Sequence, residues 1–93
     1  MESKRLIEKV KVTSYENDER NDFELEYYII STTDNIYGIE IQKKTNTLKN
    51  EVRCIKDILC SKEESIQLLK KLAKNKVTPV TFEYIIEDNF GMY

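Results

Sequence analysis

The spacing of apolar residues changes once along this chain, and that change limits the folds open to it. Between Arg5 and Ile58 apolar side chains fall mostly on every second residue, and after Cys60 they return every third or fourth. A period of two belongs to a strand with one face on a core, and a period near 3.6 to an amphipathic helix. The chain therefore reads as strands first and helices second. That order suits an α+β domain, a four-stranded antiparallel β-meander followed by a C-terminal pair of helices packed on one face. At 93 residues there is room for a single domain with one core and little surplus for a deep cleft.

Four stretches carry the alternation. Residues 5–13 place Leu6, Val10 and Val12 on one side, with Lys9 and Lys11 opposite, where lysines discourage edge pairing. Residues 14–22, SYENDERND, are polar and turn-prone and read as a loop. Residues 23–31 set Phe23, Leu25, Tyr27 and Ile29 against Glu24, Glu26, Tyr28 and Ile30. Residues 36–44 set Tyr37, Ile39 and Ile41 against Gly38, Glu40 and Gln42, and residues 51–58 put Val52, Cys54 and Ile58 together with Lys56 as an interruption. The links STTDN and TNTLKN supply turn chemistry, Asp34 and Asn35 tolerating left-handed backbone. Short turns between successive strands predict the meander. Gly38, inside a strand pattern, implies close approach of another backbone or of a ring such as Tyr28.

Helices are expected over 62–75 and 79–89. Ser61 and Glu64 form a capping box, Glu63 and Glu64 sit at the positive end of the dipole, and Lys70, Lys71 and Lys74 at the negative end. Asn75 reads as a left-handed stop. Two starts compete for the second helix. In one, Thr78 caps, Pro79 takes the first helical position and Val77 staples to Phe82; in the other, Thr81 caps and Val80 staples to Ile85. Either way Phe82, Ile86 and Phe90 share a face, and Thr78-Pro79 needs no role beyond joining the helices.

The segments YGIEI at 37–41 and LLKKLAKNKVTPVTFEYIIED at 68–88 carry a resemblance. The chain resembles an uncharacterised family of small single-domain proteins from clostridia and related Gram-positive bacteria, a domain of unknown function with a Tyr-Gly-hydrophobic-Glu strand and a Val-Thr-Pro-Val link. The likeness spans residues 23–88 in outline. It implies a bacterial cytosolic protein and brings no activity, cofactor or catalytic residue with it.

The residues themselves point away from catalysis. The chain has no histidine, which removes the most adaptable general base at neutral pH, and its two glycines, Gly38 and Gly91, cannot make a phosphate loop. Cys54 and Cys60 lack the spacing of a zinc or CxxC pair and read as free structural thiols. No apolar run is long enough for a signal peptide or a membrane span, so a cytoplasmic protein with no membrane contact is expected. We therefore expect no enzyme, no cofactor and no metal site.

Two binding roles follow. A helix pair covers one sheet face, and the face assigned to solvent carries an apolar residue on every strand. Ile7, Tyr28, Ile30, Ile36 and Ile55 would form a patch docking a protein partner or a second copy. Alternatively, Lys43, Lys44, Lys49, Arg53 and Lys56 would contact nucleic acid, with Tyr27, Tyr28 and Tyr37 stacking on bases. Fifteen basic against seventeen acidic side chains, net charge −2, favour the first reading.

Overall fold

A computed structural model describes residues 2–32, 35–45, 50–59 and 61–90. Strands β1 (Ser3–Glu16), β2 (Glu19–Ser31), β3 (Tyr37–Thr45) and β4 (Glu51–Leu59) precede helices α1 (Lys62–Lys74) and α2 (Pro79–Phe90). The strands lie in the order β1-β2-β3-β4, each antiparallel to the next. The expected α+β meander with two C-terminal helices is the observed fold.

The polar stretch 14–22 is not a loop. β1 and β2 remain paired out to Glu16 and Glu19, and Asn17 (φ 52°) and Asp18 (φ 64°) turn the chain between them. Two successive left-handed residues make the hairpin turn whose twist matches that of its strands. β3 pairs β2 only as far as Phe23–Thr45, so the rest of the hairpin stands beyond β3 as a two-stranded arm. Among the described residues neither side of the arm is covered by a helix or a second sheet, so no apolar alternation marks it in the sequence.

The core lies between sheet and helices. Leu25, Tyr27, Ile29, Ile39 and Ile41 meet Leu69, Leu72, Ala73, Val77 and Phe82, and all ten are buried. α1 packs across β1, β2 and β3, while α2 lies over β3 and β4. The Tyr27 hydroxyl donates to the Val77 carbonyl at 2.9 Å, tying the middle of the sheet to the link between the helices.

Both helices take their ends from local chemistry. The Ser61 hydroxyl accepts from the Glu64 N–H at 3.2 Å, as a capping serine does. At the other end Asn75 is not the left-handed residue (φ −90°); Lys76 is (φ 52°). The Lys76 N–H donates to Ala73 and the Val77 N–H to Leu72, each at 3.0 Å. This is a Schellman ending, and it plants Val77 and Leu72 together in the core. Thr78 caps α2: its hydroxyl accepts from the Thr81 N–H at 3.3 Å, and its carbonyl accepts from Phe82 at 2.8 Å. Pro79 then occupies the first helical position, where its missing N–H costs nothing.

Two irregularities overturn expectations about which side chains face which way. A bulge between Leu6 and Glu8 shifts β1 by one residue. Leu6 therefore shares a row with Tyr28 on the open face, and Ile7 packs against the core. On β4, Ile55 pairs with Ile39 and also joins the core side, so Val52 and Cys54 face outward with Gln42 and Glu40. A one-residue shift in parity flips every side chain. Cys54 is accordingly exposed and not the core thiol expected, and Cys60 lies outside the described residues.

Gly38 explains how β4 can run so close. Between Tyr37–Leu59 and Ile39–Ile55, two steps along β3 are matched by four along β4. A Cβ on Gly38 would overlap the Ile55 carbonyl oxygen and lie 2.8 Å from Lys56 Cα. The close neighbour is thus the backbone of β4, not the Tyr28 ring.

Candidate interaction surface

The open face of the sheet is laced with charge. Its rows run Leu6–Tyr28–Glu40–Cys54 and Lys9–Glu26–Gln42–Val52. Glu26 is only 5% exposed, yet Lys44 Nζ lies 2.9 Å and Lys9 Nζ 3.8 Å from its carboxylate. The Tyr28 hydroxyl donates to the same carboxylate at 2.7 Å. The hydrogen bond from Lys44 outweighs burial and holds the Glu26 carboxyl below its usual range. Tyr28 responds in the opposite direction: burial, then the bond to Glu26, push its pKa up to about 12.

Long lysines bridge strands that are not neighbours. Lys4 on β1 reaches Glu40 on β3 at 2.9 Å, its ammonium 4.9 Å from the centre of the intervening Tyr28 ring. Gln42 donates to Glu40 at 2.6 Å. Lys56 on β4 reaches Glu2, beside the start of β1, at 2.9 Å. That last pair ties β4 to the residue just before β1.

The five apolar residues expected to dock a partner do not come together. Ile7 and Ile55 pack on the core side. Ile30 shares a row with Lys4 and Gly38 on the open face but is 1% exposed. Tyr28 is half-buried in the charge network, and Ile36 is exposed in the turn before β3. The bases of the second reading are dispersed too. Lys43 shares the core-side row of Leu25, its ammonium 4.6 Å from the Phe23 ring centre. Lys44 and Lys56 are paired on the open face, Arg53 is paired with Glu83 of α2, and Lys49 lies outside the described residues.

The β4 edge is flanked by exposed apolar groups on both of its sides. β4 pairs with β3 alone among the described strands. Val52 is 43% exposed on the open-face side of this strand, and on the helix side Val80 and Tyr84 of α2 are 44% and 63% exposed. Val80 and Tyr84 stand one helical turn apart, opposite Phe82 and Ile85, which pack on the core. Their spacing was legible in the sequence: they fill the outer side of the helix whose inner side Phe82 defines. The Arg53–Glu83 pair joins strand and helix, and Arg53 Nη1 also donates to the Val52 carbonyl at 2.9 Å.

Partial burial, then the Glu40 charge, push the Cys54 thiol up, away from a reactive thiolate. No group of three acidic, cysteine or histidine side chains converges among the described residues. A basin of about 590 Å³ opens at the foot of the arm, with Lys9, Lys11, Arg20, Asp22, Glu24 and Lys44 in its lining. Its opposite charges sit close together, Arg20 and Asp22 at 3.0 Å and Lys9 and Glu24 at 3.2 Å.

A family model described as a family of unknown function, DUF6514, matches residues 4–92. The chain belongs to this family. The DUF6514 match takes in the arm, all four strands and both helices, so the β4–α2 flank is part of the family's own unit. No curated protein and no solved structure matches the sequence. No described helix is long and apolar enough to cross a membrane.

Proposed function

We propose that this domain is a non-catalytic cytoplasmic interaction module that docks a protein partner along the β4–α2 flank. The observation that carries the reading is the outer edge of β4, which pairs with no other described strand and has exposed Val52 on its open-face side and exposed Val80 and Tyr84 on its helix side. An unpaired strand offers a row of backbone donors and acceptors, and neighbouring apolar groups add the burial that makes such pairing persist. The titrating groups support a role without chemistry. Glu26 is committed to Lys44 and Lys9, and Tyr28 and Cys54 are both shifted towards their neutral forms.

A lysine placed on the edge is the test, because strand edges are blunted by charge. Val52→Lys changes an exposed side chain and is expected to leave the melting temperature nearly unchanged. The wild-type chain should retain a protein from its native cytosol, itself included, and the variant should retain at least tenfold less. Equal retention by both would contradict the proposal.

A further inference from the structure

We propose that the partner of β4 is the β4 strand of a second copy of this chain, paired antiparallel about Val52 so that the two sheets become continuous. This names the partner for the docking surface above and rests on that reading. A two-fold axis perpendicular to a sheet makes an edge strand antiparallel to its own copy and keeps each face on its own side. Facing residues must then have the same parity, and within the evenly paired stretch Glu51–Ile55 the registers are those centred on Val52, Arg53 or Cys54. Centred on Arg53, one guanidinium meets the other. Centred on Cys54, Val52 faces the partner's Lys56. Centred on Val52, the two valines meet on the open face, and Glu51 faces the partner's Arg53 twice, once on each side of the axis. Among these pairings, only this register sets unlike charges opposite each other, the arrangement that favours cross-strand neighbours.

Two features of the fold suit that register. Glu51 stands across from Lys43 on β3, but the Lys43 ammonium lies over Phe23, and Glu51 makes no ion pair among the described residues. Each Arg53, already paired with Glu83 on the helix side, would be flanked by a second acid from the partner. The helices also clear each other. α2 lies over β3 and β4, about one strand spacing from the axis, so the two copies of α2 would run about 10 Å apart, near the distance of packed helices. The β1 edge is less suited: a bulge interrupts it at Leu6–Glu8 and Lys4, Lys9 and Lys11 stand along it, whereas the irregularity of β4 lies beyond Ile55, outside the proposed pairing.

Sedimentation of the full chain over a concentration series tests the register by charge reversal. Wild type should form a reversible dimer. Glu51→Arg alone, or Arg53→Glu alone, should weaken the dimer about tenfold, since two attractive pairs become two repulsive ones. The double reversal should restore it to within about threefold. Because Arg53→Glu also opposes Glu83, melting temperatures are read for every variant, and Glu51→Arg decides the matter if Arg53→Glu does not fold. A wild type that stays monomeric overturns the proposal, as does a dimer indifferent to Glu51→Arg. If a monomeric wild type still captures a different protein and Val52→Lys abolishes that capture, self-pairing fails while the docking surface stands. If capture is indifferent to Val52→Lys as well, both fail.

Discussion

The two edges of this sheet are built differently. β1 is long, broken by a bulge, roofed by α1, and lined with lysines that reach inward to Glu26 and Glu40. β4 is shorter, is drawn tightly against β3 at Gly38, and leaves Val52 exposed on its outer side. A strand edge is an open invitation to pair, and charge and irregularity are the usual means of closing it. Both edges carry them here, but on β4 the irregularity lies beyond Ile55 and leaves Glu51–Ile55 evenly paired, whereas on β1 it interrupts the strand at Leu6–Glu8. The difference teaches that a small antiparallel sheet need not guard both sides equally, and that the less guarded side is where association should be sought.

The largest effect expected from breaking this asymmetry is at Gly38. Gly38→Val would drive a side chain into the Ile55 carbonyl and force β4 off β3, costing about 3 kcal/mol or more. Leu6→Ser, at an exposed position on the opposite edge, should cost less than about 1 kcal/mol. Chemical denaturation of the two variants compares the edges directly. Equal losses would show that β4 is not held as closely as the Gly38 contact requires.

Next in size is Tyr27→Phe. Tyr27 lies on the midline and its hydroxyl serves the buried Val77 carbonyl, so its removal should cost about 1–2 kcal/mol. Because the defect is central, it should weaken the chain without altering which edge associates. A change in the association of the Tyr27→Phe variant beyond its loss of stability would blur the contrast.

The pH dependence tests the guarded side. The Glu26 carboxyl is held below its ordinary value of 4.5, so its contribution to stability is complete above that value. It is lost as pH falls through the lower, folded value. Wild type should therefore lose more stability on acidification than Glu26→Gln, and identical acid limbs would contradict the assigned role of Lys44 and Lys9. At the alkaline end the sign reverses. Tyr27 and Tyr28 are raised to about 12, so their contribution is intact below about 10 and is lost between 10 and 12. Ultraviolet titration of tyrosinate should show both ionising late.

The smallest effects on stability, and the most informative for the comparison, come from exchanging the guards. Val52→Lys should abolish association and Lys11→Val should allow it at β1, each within about 0.5 kcal/mol of wild type. Light scattering reads both. If neither exchange changes the association state, the lysines are not what separates the edges.

Much of the fold was legible from periodicity because periodicity records burial. The single switch from alternation to helical spacing marks the boundary between sheet and helices, and Ser61 with Glu64, and Thr78 with Pro79, mark the helix starts. The arm was not legible, since residues 14–22 have no covered face to imprint a pattern and only Asn17-Asp18 betrays the turn. The faces of Ile7 and Ile55 were misread for a backbone reason. The bulge at Leu6–Glu8 changes parity without changing composition, and on β4 the choice of face turned on Ile55 pairing with Ile39 rather than on the two smaller residues, Val52 and Cys54. Parity alone makes the open face an apolar patch, because it does not say which of that face's lysines meet which glutamates. Their register turns them into pairs that lie over Tyr28 and around Glu26.

Amide hydrogen exchange, followed peptide by peptide at low and high protein concentration, tests the central claim most directly. The account predicts that exchange over residues 50–54 slows at least tenfold as concentration rises, while residues 4–12 of β1 exchange at the same rate throughout. Concentration-independent exchange in both segments, or protection that appears on β1 and not on β4, would contradict it.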